Sequence, residues 1–115
     1  MQNIEKGSIK EWLGEVESKG FKEKNSRLWK RAHLYASKPR RQRVSVNLDR
    51  LDRIAKEGDY ILIPGKVLST GSISKRFTVS AIEYSGSAAE KLSKAGCRHV
   101  PVREMLSRKE VRLVI

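Results

Sequence analysis

Ile61, Leu62 and Ile63 form an unbroken apolar run, and Pro64-Gly65 follows at once. A strand with one wet face alternates apolar and polar residues, so three apolar residues in succession mark a strand buried on both faces. Such a strand needs a covering layer on each side, which steers the chain towards helices packed over a sheet. Proline has no amide proton for a ladder, and glycine takes backbone angles closed to other residues. The pair is therefore expected to stop the strand in a tight turn, with the Lys66 cation beside it. Val67-Leu68 returns to apolar character before Ser69-Thr70-Gly71-Ser72, a second polar loop. Two turns of small residues with bare backbone can fix neighbouring strands, and they can also let phosphates approach the main chain.

The Gly65-Lys66 pair is not a nucleotide-cradling loop. That motif needs a glycine five positions before the pair and a Ser or Thr after it to hold magnesium. Tyr60 and Val67 occupy those places, and no GxGxxG occurs anywhere in the chain.

The chain has 115 residues, of which 38% are hydrophobic. A chain of that length forms a single compact domain and buries roughly two-thirds of its unfolded surface. The lone cysteine, Cys97, excludes an internal disulfide and suits a reducing compartment. Cys97-Arg98-His99 lacks the further ligands of a metal site. No run of membrane-spanning length and no signal-peptide pattern occurs, which assigns the chain to the cytoplasm. The 25 Lys and Arg against 13 Asp and Glu leave a net charge of +12. So many uncompensated cations repel one another unless a polyanion is present, and nucleic acid fits better than a membrane surface, because the basic stretches lack bulky apolar anchors.

In order along the chain, Ser8 to Gly20 reads as a short helix. Ser8 and Glu11 make a capping box, and Ile9, Trp12, Leu13 and Val16 form the apolar stripe. A second helix is predicted from about Ser26 to Ser37, capped by Asn25 or Ser26. Leu28, Ala32 and Tyr35 share its inner face, Trp29, His33 and Ala36 its flank, and Arg27, Lys30 and Arg31 its outside. Core packing accounts for Trp29 and Tyr35, with base stacking as the alternative. Lys38-Pro39 ends this helix. Lys38, Arg40, Arg41 and Arg43 then place four cations in six residues. Proline is expected to hold this segment extended, as an arm whose arginine forks grip phosphates.

Val44 to Val46 alternates as a strand, and Asn47 caps a helix from Leu48 to about Lys56. In that helix Leu51, Ile54 and Ala55 face inward, and Asp49 and Asp52 lie near the positive end. Ser74-Lys75-Arg76 leads into a strand from Phe77 to Glu83. Ser85 or Ser87 starts the next helix, with Ser87 and Glu90 as a capping box, and Gly96 stops it. Arg98 to Val100, a short helix from Val102 to Leu106, and a last strand with Val111, Leu113 and Ile115 on one face complete the chain. Strands alternating with short helices predict α/β layering. The seam falls between an N-terminal part, residues 1–43, and an α/β body, residues 44–115.

The run PRRQRVSVNLDRLDRIAKEGDYILIPGKVLSTG, with FTVSAIEYSGSAAEKL and the terminal VRLVI, resembles the archaeal and eukaryotic large-subunit ribosomal protein eighteen-e family. The likeness extends from Trp29 onward and more loosely over the first helix. It implies an α/β fold shared with the C-terminal part of ribosomal protein fifteen, an irregular superhelix of strand–strand–helix units. It also implies binding to large-subunit ribosomal RNA without catalysis. The family's PGKVL turn falls on Pro64 to Leu68, its PRR on Pro39, Arg40 and Arg41, and its VNL on Val46, Asn47 and Leu48. Ser69 stands where the family often has glycine, and a positive φ there would strain it.

The reading is thus a structural, non-enzymatic constituent of the large ribosomal subunit, in the cytoplasm. Its partners are large-subunit ribosomal RNA and neighbouring ribosomal proteins, with no membrane, cofactor, metal or small-molecule substrate. The expected RNA contacts are Arg27, Lys30, Arg31, Lys38, Arg40, Arg41, Arg43, Gly65, Lys66, Ser72, Lys75 and Arg76. An RNA-directed enzyme would need convergent acid–base or metal-binding residues, whereas His33 and His99 stand alone in the sequence. A DNA-binding regulator would need a recognition helix with a turn before it.

Overall fold

The computed structural model describes residues 6–22, 26–106, 108 and 110–115. Two helices lead: α1 (Lys6–Ser18) and α2 (Ser26–Ala36). There follow β1 (Ser45–Asn47), α3 (Leu48–Ile54), β2 (Tyr60–Leu68), β3 (Thr78–Tyr84), α4 (Gly86–Lys94), β4 (Arg98–His99), α5 (Val102–Leu106) and β5 (Arg112–Leu113). The predicted α/β layering is present. Every strand pairing is parallel, with β2 at the centre. β3 and then β4 lie on one side of β2, while β1 and β5 share its other edge.

Both faces of the sheet are covered, as the apolar run requires. Ile61, Ile63, Val67, Val79 and Ala81 join Leu48 and Leu51 of α3 and Ala88, Ala89 and Leu92 of α4 in one apolar cluster. Leu62 and Ile82 enter a second cluster with Trp12 and Val16 of α1, Trp29, Ala32 and Ala36 of α2, and Met105 of α5. Residues 61 to 63 therefore serve two cores alternately, and the N-terminal helices form one of the two layers over the sheet. The segment around β5 divides in the same way: Val111 and Leu113 pack on the second cluster and Val114 lies in the first.

Several sequence expectations are corrected here. Pro64-Gly65 does not end the strand, because β2 runs unbroken from Tyr60 to Leu68. β5 pairs with Ile61 and Leu62, β1 with Lys66 to Leu68, and the β3 register shifts between Ile63 and Lys66. The proline thus sits in a bulge between two partner strands, where a missing amide proton breaks no ladder bond. Gly65 is not among the glycines with positive φ. It is needed for space, since a Cβ there would overlap the Val44 carbonyl oxygen. Ser69 is unstrained, because no described non-glycine residue has positive φ.

The buried line of α2 is Trp29, Ala32 and Ala36, with Leu28, His33 and Tyr35 half-buried beside it. Trp29 is a core residue, and the face is turned slightly from the one expected. Helix α1 opens at Lys6, so Ser8 lies inside it, and the Ser8 side chain and Asn25 fall outside the described residues. Asn47 and Ser85 hold the cap positions of α3 and α4 but make no side-chain cap bond. Helix α4 opens at Gly86, which puts Ser87 inside it rather than at its cap.

Candidate nucleic-acid interface

The four-cation segment folds back on itself more than its proline suggests. Pro39 is extended (φ −53°, ψ 147°), and a short 3-10 turn follows from Arg40 to Gln42. Gln42 donates its amide to Pro39 O at 2.8 Å and Arg43 to Arg40 O at 3.3 Å. The expectation of an extended arm is corrected accordingly: a single 3-10 turn spaces the arginines without stacking them as an α-helix would.

Each cation has its own circumstances. Arg43 Nε donates to the carbonyls of Ala36 (3.0 Å) and Lys38 (3.1 Å), closing the C-terminal end of α2, where unpaired carbonyls favour a cation. The Lys38 ammonium lies 4.8 Å above the Tyr35 ring. Arg40 Nε and Nη2 donate to the two carboxylate oxygens of Glu83 at 2.7 and 2.8 Å. The Glu83 side chain is only 8% exposed, that of Arg40 69%. Hydrogen bonding to this carboxylate, reinforced by its charge, raises the Arg40 guanidinium above its ordinary pKa. Arg41 is exposed and has no hydrogen-bond or ion-pair partner among the described residues.

Sheet pairing then joins two stretches that are distant in sequence. Ser45 is in register with Lys66, and the Lys66 amide donates to Val44 O at 2.9 Å. That close approach, possible because residue 65 has no Cβ, lays the arginine segment beside the PGK bulge. Arg40, Arg41, Arg43, Ser45, Gly65, Lys66 and Glu83 line one cleft of about 370 Å³. Four cations facing one carboxylate in a concave site concentrate positive potential there.

The remaining expected contacts lie elsewhere. Arg27, Lys30 and Arg31 are exposed on the outer face of α2 with Leu34, and Arg27 and Arg31 border a shallow depression with Leu28 and Leu113. Ser72 is exposed in the loop after Gly71. Lys75 is engaged inside the fold, its ammonium donating to Asp52 O at 2.6 Å and Ala55 O at 2.9 Å. The Arg76 amide donates to Glu57, and its side chain is exposed.

Asp52 is not the helix-start residue expected of it. It accepts from Ser74 N, Ser74 Oγ and Lys75 N, pinning the loop to α3. Burial alone would push its carboxyl up, but the bonds from Ser74 and Lys75 outweigh this and hold it below its ordinary value. His33 Nε2 donates to Glu17 Oε1 at 2.8 Å, and burial pushes the Cys97 thiol up. Glu83 is the residue that sequence reading missed. Its signal was an acid at the end of an otherwise uncharged strand, since a buried carboxylate needs a cation.

No model of a protein family matches the chain. Among curated proteins, large ribosomal subunit protein eL18 of Thermoplasma acidophilum is 43% identical over 84 residues, covering 73% of this chain and 70% of that protein. The eL18 of Pyrobaculum aerophilum is 38% identical over 88 residues (76% and 72%), and that of Methanococcus maripaludis 33% over 97 residues (84% and 80%). The chain belongs to the eL18 family. An eL18 is by its name a protein of the large ribosomal subunit, and that kinship sets aside the reading as an RNA-directed enzyme.

Proposed function

We propose that this chain is a structural constituent of the cytoplasmic large ribosomal subunit and holds large-subunit ribosomal RNA through the cleft and the outer face of α2. The observation that carries the reading is the convergence of Arg40, Arg41, Arg43 and Lys66 on one cleft in a chain of eL18 kinship. RNA helices are recognised largely through phosphates, 2′-hydroxyls and shape, which needs cations on a rigid support and little base reading. The two-layered sheet is that support. Ser45 and the bulge at Gly65 give the cleft a polar floor on which a sugar–phosphate backbone can rest. Neighbouring large-subunit proteins are the other expected partners.

Filter binding of the purified chain to large-subunit ribosomal RNA fragments and to duplex DNA of equal length, across a salt series, tests the proposal. RNA should bind more tightly, with log affinity falling linearly against log salt. Sequence-specific DNA binding as tight as the RNA binding overturns it. Co-sedimentation with large subunits after high-salt washing is the matching test in the assembled particle.

A further inference from the structure

Arg40 is the exposed partner of Glu83, the acid that lines the cleft, and the way its guanidinium is held bears on binding. Arginine carries five N–H donors in a rigid fork. Glu83 takes one edge of that fork, through Nε and Nη2. The other edge, formed by Nη1 and the remaining Nη2 proton, is left unused in a side chain that is 69% exposed and lines the cleft. An arginine free in water samples many rotamers and loses that freedom when it binds. An arginine gripped by a buried carboxylate has already lost it.

We propose that Glu83 is a positioning residue: it fixes Arg40 so that the free Nη edge faces a phosphodiester of the RNA seated in the cleft. This rests on the RNA-binding reading above. The Arg40 guanidinium is then shared between two anions, the Glu83 carboxylate on one edge and an RNA phosphate on the other. Arg41 and Lys66, whose side chains have no hydrogen-bond or ion-pair partner among the described residues, supply the adjustable charge around it.

The proposal opposes simple charge counting, and the opposition makes it testable. If Glu83 merely neutralises or anchors Arg40, Glu83→Gln adds one net positive charge and should bind RNA more tightly, with a salt slope steeper by up to about one. If Glu83 positions Arg40, the same variant should bind roughly two- to fivefold more weakly, the scale of a partly exposed ion pair, despite the added charge. Glu83→Gln in an Arg40→Ala background should cost nothing further. Because Glu83 is buried, the folded state of that variant is checked by thermal unfolding and binding is measured well below its Tm. Arg40→Lys guards against misfolding: it keeps the charge on an exposed side chain but loses the two-edged fork, and should show a similar loss at an unchanged salt slope. Tighter or equal binding by Glu83→Gln, or wild-type binding by Arg40→Lys, overturns the proposal. A wild-type chain that shows no preference for ribosomal RNA overturns the RNA-binding reading as well, whatever the variants do.

Discussion

Lys66 and Lys75 flank the same glycine-containing loop and are put to opposite uses. Lys66 stands on the β2 bulge, its ammonium without a partner among the described residues and turned to a cleft with three arginines. Lys75 stands at the C-terminal end of α3, its ammonium held by two main-chain carbonyls. The difference is one of carbonyl supply. Helix α3 stops at Ile54 and leaves carbonyls without intrahelical donors, and a nearby ammonium settles on them. A β-bulge beside a parallel partner presents no such cluster, so its cation remains available. Net charge thus counts cations that stabilise the fold together with those left without a partner, and only the surrounding main chain separates them.

The largest effect that would sharpen this contrast concerns the loop's own glycine. Gly71 has φ 102°, and a Cβ there would overlap Asp49, lying 2.7 Å from its amide nitrogen. Gly71→Ala combines left-handed strain with overpacking and should cost about 3 kcal/mol or more in chemical denaturation. Gly65→Ala carries no positive φ but would overlap the Val44 carbonyl oxygen still more closely, so overpacking alone should cost about 3 kcal/mol there. A cost at residue 71 well below that at residue 65 would show that backbone conformation contributes little at residue 71.

Next in size is the lysine pair itself. Lys75→Met keeps the stem and removes two charge-assisted hydrogen bonds, so stability should fall by about 1–3 kcal/mol while RNA affinity stays near that of the wild type. Lys66→Met should leave the Tm almost unmoved, weaken RNA binding, and make the salt slope shallower by about one. The comparison breaks if the two variants exchange phenotypes.

Arg41→Ala should resemble Lys66→Met, with weakened binding spread evenly over RNA sequences, because phosphate contacts position without reading bases. An unchanged salt slope would mean that Arg41 is merely solvated.

The smallest effect is a pH dependence confined to the loop side. The Asp52 carboxyl is held below its ordinary value in the fold, so its contribution is complete above the unfolded pKa, roughly 3.9, and is lost as pH falls through the lower folded value. Acid unfolding of Asp52→Asn should therefore be flatter than wild type below about pH 4, with no difference in slope near neutrality. A difference that appears only above pH 5 would point to another group.

The layering was legible because it rests on local patterns. Ile61 to Ile63 announced a strand with two covered faces, and the apolar stripe of α1, the end of α4 at Gly96 and the short helix with Met105 all appear where their spacing put them. The proline was misread for an identifiable reason. Pro64 is disfavoured in a strand only where its nitrogen faces a partner's carbonyl, and whether it does so depends on where β1 and β5 happen to pair. The helix caps were misread similarly: Asn47 and Ser85 occupy cap positions, yet their side chains are not used as caps.

By itself the sequence determined the α/β class, the excess of positive charge and the kinship with large-subunit ribosomal proteins. The first two follow from residue types and their spacing along the chain, and the third from likeness to the sequences of known relatives. Tertiary structure decided which cations are free to bind. It closed the arginine segment against the PGK bulge, gave Arg40 to Glu83, and drew Lys75 onto the end of α3. The physical reason is that the fate of a charge depends on which carbonyls and carboxylates converge on it, and these come from sequence-distant residues that only strand register and helix packing bring within hydrogen-bonding reach.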